Sequence, residues 1–191
     1  MKFVTYLVAI FMFSAAPLLP GQQSSGKPSD ALLKKSLAPY VNSPMSVVER
    51  MLELCGVAEN KIVYDLGCGD GRILVAAAKN YRARAVGVEL SAKWAQLATD
   101  NVVEAGVQDR VRVLQLDMMD ANLQEADIVT LYLISEANSI LRPKLEKELR
   151  PGACVVSHDF EVDGWKPSKV ETIKVYHRPH SIYVYKMGTR R

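Results

Sequence analysis

The sequence predicts an α/β fold: one doubly wound, mostly parallel sheet that ends in a C-terminal antiparallel hairpin. Three observations carry this. From residue 61 onward, short runs rich in valine, isoleucine and leucine alternate with segments of helical spacing. A glycine-rich turn closes the first of those runs. The last two runs are separated by too few residues to hold a crossover helix. With 191 residues, 49% of them hydrophobic, the chain can bury one domain core of ordinary size.

The elements follow in order. Met45, Val48, Met51 and Leu52 fall at helical spacing, with Ser43 as cap and Pro44 in the first turn, so a helix is expected over Pro44 to Leu54. Lys61 to Leu66 reads as a strand, Arg72 to Tyr81 as an alanine-rich helix and Ala83 to Glu89 as the next strand, which together make a parallel crossover unit. Ser91 to Ala105 is expected as a helix closed by Gly106, then Val111 to Leu116 and Asp127 to Leu133 as strands. Ser135 to Leu149 reads as a helix, and Ala153 to Ser157 as a strand after the Pro151-Gly152 turn. Lys169 to Tyr176 and Ile182 to Met187 are the final strands, with Arg178-Pro179-His180 as their link. Seven strands with helices on both faces make a Rossmann-like sheet.

The N-terminal part is different in kind. Lys2 precedes an uncharged stretch from Phe3 to Pro20, and the polar run Gly21 to Asp30 follows. Residues 1–22 are expected to be a signal peptide or a membrane anchor, 23–38 a flexible linker and 39–191 the catalytic domain. Ser14-Ala15-Ala16 suits cleavage, but Pro17 follows directly, so both readings stay open. Lys27, Lys34 and Lys35 against Lys2 favour an anchor with the domain on the cytoplasmic side; export after cleavage is the alternative.

Charge and cysteine usage narrow the function. The net charge is +3, and Lys and Arg are interleaved with Asp and Glu, so charge gives no indication of nucleic acid as a partner. Cys55, Cys68 and Cys154 are widely spaced and lack a C-x-x-C pair, so buried free thiols are expected, with neither a disulfide framework nor a zinc site. His158, His177 and His180 have no carboxylate spacing that joins them, and they read as structural or surface residues; no metal is expected.

The chemistry lies at the strand ends. In Asp65-Leu66-Gly67-Cys68-Gly69-Asp70-Gly71-Arg72 a strand runs through a glycine turn into a helix, and Gly67 and Gly69 let a ligand approach the backbone closely. The third glycine, Gly71, comes one residue too early for a dinucleotide G-x-G-x-x-G loop. Asp65 and Asp70 would repel a pyrophosphate and attract the ammonium of a methionine. Glu89 ends the second strand, where its two oxygens can grip both hydroxyls of a ribose. Asp117 and Met118 end the third, placed to accept from an adenine amine and to cover its ring. Three acids at successive strand ends point to S-adenosyl-L-methionine, because ligands collect at that edge of a parallel sheet.

These motifs resemble the seven-stranded, class I methyltransferases. Pro39-Tyr40-Val41, Thr130-Leu131-Tyr132-Leu133, Leu141-Arg142-Pro143-Lys144-Leu145, Arg150-Pro151-Gly152 and Val155-Val156-Ser157-His158-Asp159-Phe160 resemble more narrowly the small protein-lysine methyltransferases. That family includes a broad-specificity archaeal enzyme and mitochondrial enzymes acting on ATP synthase subunit c and the adenine nucleotide translocase. The resemblance runs from about Pro39 to Met187; Asn42 departs from it, standing where the family more often has proline. It implies methyl transfer to the ε-amine of lysine in a protein substrate.

Tyr40 and Tyr132 are the candidates to line the methyl-transfer site, Tyr40 touching the cofactor as well, because an aromatic face can hold a partly charged amine. With no large insertion to form a lid, the site suits a side chain that protrudes from a macromolecule, and a monomer is expected. The alternatives are a methyltransferase acting on a small molecule or RNA, a nicotinamide-dependent oxidoreductase on a similar sheet, and a membrane-tethered binding protein without turnover.

Overall fold

A computed structural model describes residues 41–188 of the chain. Tyr40 and the segments 1–22 and 23–38 lie outside the described residues. Among those described, no helix is long and apolar enough to cross a membrane.

The elements are α1 Met45–Cys55, β1 Ile62–Leu66, α2 Arg72–Tyr81, β2 Arg84–Glu89, α3 Ala92–Glu104, β3 Val111–Gln115, β4 Ile128–Leu131, α4 Ser135–Glu148, β5 Cys154–His158, β6 Lys169–Val175 and β7 Arg178–Lys186. They build one seven-stranded sheet in the order β3-β2-β1-β4-β5-β7-β6. The first five strands in that order run parallel, whereas β7 pairs antiparallel with both β5 and β6. Strand order reverses between β1 and β4, and their carboxyl ends flank the crevice where parallel sheets bind ligands. The predicted fold class is the one observed.

Two apolar layers hold the sheet. On one face Val48, Met51, Leu52, Leu74, Ala77 and Ala98 bring α1, α2 and α3 against it. On the other, Leu141 and Leu145 of α4 and Leu123 pack on Leu66, Leu131 and Val155. β1, β4 and β5 are buried along almost their whole length, which is why they read as continuous apolar runs.

Two expectations are corrected. β7 begins at Arg178, not Ile182, so the residues expected as a link are strand. The turn is Tyr176-His177, both at positive φ (48° and 67°), which matches a tight two-residue hairpin. Pro179 obscured this, but it pairs only with Lys174 of β6, where β7 has run past the end of β5, and a proline is tolerated there. Secondly, Cys55 and Cys154 are joined in a disulfide, with Cα atoms 5.7 Å apart, while Cys68 is a buried free thiol as expected. One cysteine ends α1 and the other starts β5, 99 positions later, so spacing along the chain carries no trace of the bond.

Candidate active site

The glycine turn after β1 rests on left-handed backbone. Gly67, Gly69 and Gly71 have φ of 80°, 53° and 77°, a region that side chains disfavour. A Cβ on Gly67 would meet Leu133 at 3.2 Å, and one on Gly71 would meet Ala98 at 3.0 Å. The amides of Gly67 and Cys68 both donate to the carbonyl of Val88, at 2.8 and 3.1 Å, so the loop is folded back onto the end of β2.

Each predicted acid stands at or just past the carboxyl end of its strand. Glu89 accepts from the amides of Gly69 and Ser91 at 3.0 and 2.9 Å, and Asp117, just past β3, accepts from the amide of Met119 at 2.9 Å. Met118 packs half-buried on the core beside it. Asp65 is almost wholly buried and accepts from the hydroxyl of Thr130 at 2.7 Å. Burial pushes its carboxyl up to about 7; the Thr130 hydrogen bond opposes this, and Glu89 and Asp70 add to it. Asp70 lies in the turn, as expected, and is engaged by Arg72. Its carboxylate accepts from Nε and Nη2 of Arg72 at 3.0 and 2.6 Å, and Arg72 Nη1 in turn donates to the carbonyl of Ser43 at 2.9 Å.

A second group of residues gathers where β4 and β5 end and β7 begins. Tyr132 directly follows β4, and its ring lies on that of His158, with centroids 3.9 Å apart at 32°. Phe160 stands 6.3 Å away on the same wall. His158, at the end of β5, is wholly buried; its Nδ1 is hydrogen-bonded to the hydroxyl of Ser43 and its Nε2 to Nδ1 of His180, each at 2.8 Å. Ser43 therefore does not cap α1, whose cap position is taken by Pro44 with no side-chain bond. Asp159, at φ of 60°, places Oδ2 at 3.4 Å from His158 Nε2 and 3.5 Å from His180 Nδ1, and it accepts from Arg178 and from the amide of Ser181. Burial holds His158 well below the usual imidazole range, against the pull of Asp159. Burial and Asp159 likewise raise the Tyr132 phenol.

Of this group the sequence pointed to Tyr132 but not to the cluster of His158, His180 and Asp159 behind it. His177 is exposed in the turn as expected, but His158 and His180 are buried and share Asp159, although no spacing joined them. The available signal was the period of two in β7: His180, Ile182 and Val184 all face inward. Trp165 packs on Tyr185 with its indole N–H donated to Glu146 at 2.7 Å.

A family model described as the ANTKMT methyltransferase domain matches residues 65–169, from Asp65 through β5 to the start of β6. The chain belongs to this family. Over 154 residues it is 43% identical to a protein-lysine N-methyltransferase of Saccharolobus islandicus (strain REY15A), covering 80% of this chain and 96% of that protein. It is 35% identical over 132 residues to the adenine nucleotide translocase lysine N-methyltransferase of Mus musculus, covering 69% of this chain and 57% of that protein. Among solved structures, an RNA methyltransferase from Salinibacter ruber in complex with S-adenosyl-L-homocysteine superposes with a TM-score of 0.74 at 42% identity, covering 79% of this chain and 96% of that one.

The family's methyl donor fits the residues present. The glycines of the turn offer backbone without side chains, and Glu89 and Asp70 add to the charge burden on the buried Asp65 carboxyl, which a cation would relieve.

Proposed function

We propose that this methyltransferase transfers methyl groups from S-adenosyl-L-methionine to the ε-amine of lysine in protein substrates. The observation that carries this is the 43% identity to a protein-lysine N-methyltransferase across 96% of that protein's length, which takes in both the acid-lined turn and the Tyr132 wall. When bound, the donor supplies a methyl group already activated by its sulfonium. The chain's own residues do the rest. Asp65 would hold the donor's ammonium, Glu89 its ribose hydroxyls, and Asp117 with Met118 its adenine. Tyr132 would present the ring face turned away from His158 to the incoming amine, which must be uncharged to attack; the site's work is orientation.

A second reading has its own support, since the structure at 42% identity is that of an RNA methyltransferase. Incubation with methyl-labelled donor and a cell extract separates the two. Label removed by protease and retained after nuclease is expected, and the reverse pattern would overturn the lysine reading. For location we propose a membrane tether formed by residues 3–20, supported by the absence of charge in that stretch, with the domain on the cytoplasmic side, supported by Lys27, Lys34 and Lys35 on that flank against Lys2 on the other. Release of the full-length protein from membranes by alkaline carbonate would contradict it.

A further inference from the structure

Ser43, His158, His180 and Asp159 form one buried polar group between the donor turn and Tyr132. Both ring nitrogens of His158 are engaged, Nδ1 by Ser43 and Nε2 by His180, so its imidazole is fixed in plane and about its axis. On that fixed plane lies the ring of Tyr132. Ser43 is held from the other side, because Arg72 binds its carbonyl while gripping Asp70 in the glycine turn. Hydrogen bonds thus run from the turn that would seat the donor as far as His158, and a ring contact carries the path on to the aromatic wall that would seat the amine.

We propose that His158 is a positioning residue for methyl transfer: with Ser43 and His180 it sets the angle of Tyr132 relative to the donor turn. It touches neither donor nor amine, being fully enclosed. It must also be uncharged to do this. An imidazolium stacked on Tyr132 would repel both an approaching ammonium and a sulfonium, and burial keeps the ring neutral despite Asp159 beside it. A neutral His158 carries one ring N–H, so it donates to one of Ser43 and His180 and accepts from the other. The chain from Ser43 through His158 to His180 therefore has a single direction of donation at any moment. Buried and paired in this way, the two rings have little freedom to turn.

The inference rests on the lysine reading, and the test separates the two. Ser43→Ala, Ser43→Thr and His158→Phe are compared with the wild type for three quantities: S-adenosylhomocysteine affinity by calorimetry, melting temperature, and kcat and KM with poly-L-lysine as acceptor. Ser43→Ala removes one hydroxyl, and His158→Phe keeps a ring beneath Tyr132 without its hydrogen bonds. Both should lower kcat by about tenfold or more, as misalignment by a fraction of an ångström does, with donor affinity within about twofold of wild type; Ser43→Thr should restore most of kcat. Unchanged kcat in Ser43→Ala and His158→Phe overturns the proposal. So does a loss of donor affinity and melting temperature in step with kcat, which would make the group merely structural. Should His158→Phe not fold, Ser43→Ala against Ser43→Thr decides the matter alone. A wild-type protein that binds S-adenosylhomocysteine but methylates no poly-L-lysine defeats the lysine reading itself, and the inference with it.

Discussion

Thr130 on β4 donates its hydroxyl to Asp65 on β1 at 2.7 Å, across a parallel pair in which the two residues stand in register. It is the main influence holding that buried carboxyl down, and yet the group still titrates near about 7. A ligand ammonium beside it would favour the carboxylate, so donor binding should expel part of a proton at neutral pH. Calorimetry of S-adenosylhomocysteine binding at pH 7, in buffers of different ionisation enthalpy, should show net proton release. Uptake would reverse the assignment. Asp65→Asn should abolish the release and weaken binding by about tenfold or more, a loss of about 1.4 kcal/mol or greater.

The same carboxyl makes the ligand-free protein sensitive to pH. Its value in the folded chain lies above that of an exposed aspartate, so its contribution to stability is complete below about 3.8 and is lost as pH rises through about 7. The ligand-free wild type should therefore gain melting temperature on acidification from pH 8 to pH 5 relative to Asp65→Asn. Thermal scans of the two proteins across that window check the sign.

Glu89→Ala should remove donor binding. The change leaves the amides of Gly69 and Ser91 without their carboxylate partner and takes away the acid expected to hold the ribose. The dissociation constant for S-adenosylhomocysteine should rise by about tenfold or more, while Glu104→Ala on exposed α3 should leave it unchanged.

Gly71→Ala strains the same turn by a different route. Its backbone is left-handed at φ of 77°, and the added methyl would sit 3.0 Å from the Ala98 side chain, pressing α2 against α3. A stability loss of about 1–3 kcal/mol is expected in urea unfolding, together with weaker donor binding.

Reduction of Cys55–Cys154 should lower the free energy of unfolding by about 2–4 kcal/mol, because the bond closes a loop of 99 positions in the unfolded chain. Urea titrations with and without a phosphine reductant measure this. In the folded, oxidised protein Cys68 should resist iodoacetamide, since burial and the neighbouring Asp65 and Glu89 push its thiol far above the ordinary range.

The parallel half of the sheet was legible because burial on both faces writes itself as unbroken apolar runs, and the glycine turn because left-handed backbone admits few residues. Asp65 and Glu89 could be placed from the sequence, since each stands at a fixed position on its strand relative to the turn. Asp70 could be placed in the turn as well, but its pairing with Arg72 could not, because the turn's own conformation sets it. The disulfide and the His158–His180 bond were hidden for a related reason: each joins elements that only the tertiary fold brings together. Pro179 concealed the start of β7, where an edge position made its missing N–H harmless.

The antiparallel entry of β7 next to β5 divides the protein's work along its biosynthetic order. Everything that would seat the donor has left the ribosome by Met118, whereas His180 arrives on the final strand. A polypeptide cut short before that strand would lose Ile182, Val184 and Tyr185 from the two core layers together with His180, so such a fragment would lack the packing that supports the sheet as well as the surface that would align the methyl transfer.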